Sequence, residues 1–198
     1  SISNANRVSG PGSSLTVVGI VTLFCAPLNA MNPNDPSKEY TFIWDGLTSA
    51  GTVINVVGST TFYDTDYSGG VFRIYEGSPR NAPTAAGGMP PSPPNATVPA
   101  NFTDGTLVLQ GTLSGFHTTI TQTGTRSPNG SYRSDYQFIA GGTMYSAVSS
   151  YGPGLMQGLW CVTTGCTPTG YSAHPDGKWD VPQTTAAQPS SWGSIKQL

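Results

Sequence analysis

Apolar and polar residues alternate in short runs along most of the chain, and the runs are separated by Gly, Pro, Asn and Asp. A period of two is the mark of strands, because successive side chains on extended backbone point to opposite faces. Leu15 to Phe24 is apolar on both alternating faces, the pattern of a central strand covered on both sides. A turn-rich connection from Pro27 to Ser37 follows. Tyr40, Phe42 and Trp44 then alternate with Thr41, Ile43 and Asp45, and Thr52 to Val57 reads as a second short run after an Asp45-Gly46 turn. Val71 to Tyr75 is bounded by Gly69-Gly70 and Gly77. Leu107 to Leu113 and Phe116 to Thr123, joined by Ser114-Gly115, read as a hairpin. In Tyr132 to Ile139 the residues Tyr132, Ser134, Tyr136 and Phe138 share one face, and Arg133, Asp135 and Gln137 the other. Thr143 to Val148 and Leu155 to Val162 complete about ten short strands.

No segment carries a useful 3.6-residue apolar period, which excludes βαβ units and nucleotide-binding folds built on them. The expectation is a single all-β domain, an antiparallel β-sandwich or jelly roll over residues 15–167. An extended N-terminal arm, 1–14, precedes it and an irregular C-terminal tail, 168–198, follows. Residues 79–99 break the strand rhythm with seven prolines, which cannot build a ladder. This Pro-rich loop, with Pro90, Pro91, Pro93 and Pro94, and the isolated Trp179 and Trp192 of the tail are the candidate contact surfaces.

Composition sharpens this picture. Of 198 residues 25 are Gly and 17 Pro, which disfavours helix, and only 9% are charged, against about 25% in an ordinary soluble domain. A basic nucleic-acid-binding face is therefore excluded, and the surface must be polar through its 22 Ser and 25 Thr. The net charge of −2 leaves no self-repulsion to hold the chain open. The longest apolar stretch is too short and too interrupted to span a bilayer. A start at Ser1 without Met reads as processing for export, so the expected location is secreted, periplasmic or cell-surface. Three cysteines fit that reading. Cys161 and Cys166 are spaced for a disulfide across a tight turn, with two packed thiols as the alternative, and Cys25 reads as an inert core thiol.

Candidate chemistry is sparse. Asp64-Thr65-Asp66-Tyr67-Ser68-Gly69-Gly70 places oxygen ligands at alternate positions ahead of a glycine bend, the opening of a calcium loop, although the closing acid of an EF-hand is missing. Asp64, Asp66 and Ser68 are thus candidate Ca²⁺ ligands, and an ordinary turn is the competing reading. His174 to Asp180 gathers a His, two Asp, a Lys and a Trp, yet His-Pro-Asp-Gly is an ordinary turn sequence. His117 begins a Thr-rich strand face and reads as solvent-facing. No Gly-x-Ser-x-Gly elbow occurs, and nothing pairs the ten carboxylates for glycoside hydrolysis. The expected function is non-catalytic: an exported structural or assembly protein that packs against copies of itself or other subunits, with a carbohydrate-binding β-sandwich, with or without Ca²⁺, as the alternative.

Overall fold

A computed structural model describes residues 2–3, 7–78, 80, 82, 99–163, 165–167 and 171–181. A two-residue pair, β1 (Ile2–Ser3) and β2 (Val8–Ser9), precedes seven antiparallel strands. These are β3 (Ser14–Ile20), β4 (Glu39–Val57), β5 (Thr60–Gly77), β6 (Thr106–Thr123), β7 (Asn129–Phe138), β8 (Gly154–Cys161) and β9 (His174–Asp180). They lie side by side in chain order in one sheet. The expected all-β antiparallel class holds. The arrangement differs from the expected one: the described residues contain neither the second facing sheet of a sandwich nor the crossing connections of a jelly roll.

The sheet curls instead, and the curl makes the core. Trp44 on β4 and Trp179 on β9 have four strands between them in the sheet, yet their ring centroids are 6.3 Å apart. Trp179 also meets Phe72 edge-on at 4.6 Å and Tyr136 at 5.4 Å. Trp44, Phe116, Tyr132 and Trp160 continue this aromatic cluster on the inner, concave face. Burial of such rings is the largest apolar term a sequence this poor in aliphatics can offer. On the other face of β4 Ile43 is buried too, Phe102 in the 3₁₀ turn Pro99–Phe102 is fully buried, and the Thr41 hydroxyl donates to the Phe102 carbonyl at 3.0 Å.

Fewer and longer strands replace the ten short ones, and the reason is local. The buried side changes parity within three strands: from Tyr40 and Trp44 to Leu47 and Ser49 in β4, from Tyr67 to Phe72 and Ile74 in β5, and from Leu109 and Leu113 to Phe116, Thr118 and Ile120 in β6. The switches fall at Gly46 (φ 72°), at Gly69 and Gly70 (φ 70° and 102°) and at Gly115 (φ 60°). These are the positions read from sequence as turns. Glycine alone adopts such φ values without penalty, so it permits a kink within a strand as readily as a turn between two. The three kinks are neighbours across the sheet and form a transverse crease. It ends between β6 and β7 as a register shift at Ser114/His117, and β7 keeps one parity throughout.

Further expectations are corrected here. Leu15 to Phe24 is not a doubly covered central strand: β3 ends at Ile20, pairs only with β4, and fully buries only Val17. Thr143 to Val148 is a loop and the short helix α1 (Tyr145–Val148). Within the tail expected to be irregular, His174 to Asp180 is strand β9 rather than a turn, paired with β8 along its whole length. Cys25 is exposed instead of buried.

Candidate functional site

Register places a row of polar side chains across the outer, convex face. Asp66 on β5 pairs with His117 on β6, His117 with Arg133 on β7, Arg133 with Gln157 on β8, and Gln157 with Lys178 on β9. The adjacent row is Asp64, Thr119, Ser131, Leu159 and Asp176. Residues two apart share a face of a strand, so each strand contributes to both rows. A groove of about 800 Å³ runs along them from His117 and Thr119 to Asp176 and Lys178.

At the β5 end the groups are tied together. The His117 Nδ1 lies 2.7 Å from Asp66 Oδ1, and its Nε2 lies 2.9 Å from the Thr119 hydroxyl, which donates to Asp64 Oδ1 at 2.7 Å. The two ring nitrogens of His117 and the Thr119 hydroxyl thus link both aspartates in one chain of contacts. At the other end Lys178 pairs with Asp180 at 3.0 Å. Arg133, between them, is exposed and has no carboxylate within ion-pair distance among the described residues. Beneath the row, Gly177 leaves room for the Tyr132 hydroxyl, with which any Cβ at that position would collide. Burial, and then the Asp176 carboxylate, hold the Tyr132 phenol above its ordinary pKa range.

The sequence therefore brought Asp64 and Asp66 to a site of a different kind from the one expected. The run from Asp64 to Gly70 belongs to β5 and is not a loop, so no single turn gathers its oxygens. Ser68 lies opposite Thr48, away from the His117 network. Among the described residues no group of three or more His, Cys, Asp or Glu side chains is arranged to hold a metal. Cys161 and Cys166 have Cα atoms 6.1 Å apart, a separation consistent with the expected disulfide. Trp179, expected at an interface, packs on the core. Pro90, Pro91, Pro93, Pro94 and Trp192 lie outside the described residues.

One surface escaped the sequence reading. The β4–β5 hairpin carries Val53, Ile54, Val56 and Val57 at 59%, 51%, 69% and 68% exposure, four of the seven large hydrophobics exposed among the described residues. Both faces of the tip are apolar. No charged residue occurs between Asp45 and Asp64, a signal that was present in the sequence. In the pattern Thr52 to Val57 is one more short run, the same whether a neighbour covers it or not. No family model, curated protein or solved structure matches this chain.

Proposed function

We propose that this chain is an exported structural protein that assembles with further subunits through the exposed tip of the β4–β5 hairpin. The observation that carries the reading is the cluster of Val53, Ile54, Val56 and Val57, exposed on both faces of a hairpin tip that bears no charge between Asp45 and Asp64. Contiguous apolar patches of this sort mark contact surfaces, whereas single exposed hydrophobics are ordinary. The hydroxyl-rich, charge-poor surface and the proximity of Cys161 to Cys166 support a location outside the reducing cytosol. Sedimentation velocity over a concentration series tests the reading. The parent is expected to self-associate, and Val53→Lys with Val56→Lys, one charge on each face, to shift it to monomer. Thermal unfolding should change little, since exposed substitutions cost within about 0.5 kcal/mol. A parent that stays monomeric at its highest soluble concentration would sink the proposal.

A second reading is supported by the polar rows. Guanidinium, amide, carboxylate and hydroxyl groups spaced about 4.8 Å apart from strand to strand suit a linear, hydroxyl-rich saccharide laid across the sheet. The large aromatic rings at Trp44, Trp160 and Tyr136 are buried in the inner cluster, so the recognition would be by hydrogen bonds. Binding to an oligosaccharide panel, lost in Arg133→Ala and Gln157→Ala while unfolding temperature is kept, is the expected outcome. Equal binding by both variants would remove the groove from consideration.

A further inference from the structure

Resting on the assembly reading, the geometry points to a specific contact: two copies of this chain join by antiparallel pairing of β4 with β4 over Val53 to Val57, with a two-fold axis at Asn55. The argument starts from the backbone. β5 pairs one side of β4 as far as Val57, whereas β3 pairs the other side only as far as Thr48. The arm reaches Thr52, where the Ser9 N–H donates to the Thr52 hydroxyl at 2.8 Å. From Val53 to Val57 no described residue pairs the outer edge of β4. An open edge presents unpaired N–H and C=O groups, and another strand satisfies them best.

The two ends of the sheet are treated differently. The terminal strand β9 carries Pro175, Gly177 and three charged residues, Asp176, Lys178 and Asp180, which blunt that edge against further pairing. The free stretch of β4 has no charge and no proline. Pairing of β4 on β9, the head-to-tail arrangement that would build a filament, therefore meets a defended edge, and pairing of β4 on β4 meets none.

The sequence Val-Ile-Asn-Val-Val is close to palindromic about Asn55. A two-fold axis there sets Val53 opposite Val57 and Ile54 opposite Val56 of the second copy. On the outer face this continues the Val53, Asn55, Val57 side of the strand, and on the inner face Ile54 and Val56 meet their counterparts. Two Asn55 amides face one another, each able to donate and accept. The uncharged hairpin tips, residues 46–63, and the net charge of −2 put no strong repulsion between copies.

Cysteine crosslinking reads the register directly, in a Cys25→Ser background that removes the exposed native thiol. Directly opposed residues in an antiparallel pair have Cα atoms about 4.5–5.5 Å apart, inside the range of about 4.4–6.8 Å that a disulfide spans. Asn55→Cys should therefore oxidise to a covalent dimer. Val57→Cys should yield at least about tenfold less, because the axis leaves the two Val57 positions about 13 Å apart along the strands. Mixing Val53→Cys with Val57→Cys should restore the crosslink. Efficient crosslinking by Val57→Cys alone overturns the register. If neither single variant crosslinks while the parent still sediments as an oligomer, this contact is wrong and the hairpin reading rests on the result for Val53→Lys with Val56→Lys. A parent that is monomeric throughout overturns both.

Discussion

Gly70 shows how much one residue decides. Its φ of 102° is costly for any L side chain, and a Cβ there would come within 2.6 Å of Leu47 Cδ2 and 3.3 Å of Leu113 Cβ. Gly58, at the hairpin tip, has a φ of 59° and nothing within 4 Å of a would-be Cβ. Gly70→Ala is expected to cost about 2–4 kcal/mol, from strain and overpacking together, and Gly58→Ala only about 1 kcal/mol. Urea unfolding of the two variants checks the order. The buried phenols set the alkaline limit in the same residue-by-residue way. Desolvation, then the bond and charge of Glu76, push Tyr40 up to about 12, and desolvation with the Asp180 charge pushes Tyr136 up to about 12. A folded pKa raised above the unfolded value near 10 means stability that is complete below pH 10 and lost as pH climbs toward 12. Stability measured across that window should fall, and Tyr136→Phe should flatten the fall. On the acid side the Lys38 bond, and then the Tyr40 bond, lower the Glu76 pKa. Its contribution is present above the unfolded carboxylate pKa and is lost as pH falls through the lowered one, so Glu76→Gln should shallow the acid limb of the same curve.

At the scale of elements, what was legible was the alternation, and what was not was where an element ends. Tyr132, Ser134, Tyr136 and Phe138 are buried on one face of β7 as their spacing predicts, and Arg133 stands on the other with the polar row. Asp45-Gly46 and Ser114-Gly115 carry the same local signal as a hairpin turn but lie inside strands of 19 and 18 residues. The conformational freedom of glycine is the same in both settings, and only the pairing of the neighbouring strands selects between them. β9 was hidden for the converse reason, since Pro175 and Gly177 suppress strand propensity in a segment that β8 and the core hold in place. Trp179 supplies that hold. Trp179→Ala is expected to destabilise the chain by about 3 kcal/mol, somewhat below the cost for a fully buried ring. The same change would leave unfolding untouched if Trp179 served only as a contact residue, so one thermal or urea transition decides the point.

For the whole molecule the curl matters most, because it turns one meander into an enclosed core and leaves the Val53–Val57 edge of β4 unpaired among the described residues. Contacts between Trp44 and Trp179 close the sheet on its inner face, and the tip of the β4–β5 hairpin stays exposed. Association through that hairpin is apolar and carries no ion pair. Raising salt should therefore leave the sedimentation-derived dimer constant unchanged or strengthen it, and sulfate should strengthen it most. Loss of association at high salt would place the contact among the charged rows of the outer face instead.

By itself, the sequence determined that this chain is antiparallel β, that its surface is hydroxyl-rich and charge-poor, and which residues alternate on β7. Those properties are local, set by side-chain period and composition. Only the tertiary structure decided that glycines within strands are kinks, that Asp64 and Asp66 answer to His117 and Thr119, and that Val53 to Val57 are exposed on both faces. Each of these depends on which distant strand lies alongside, and an apolar run reads the same whether the sheet curls over it or leaves it at a free edge.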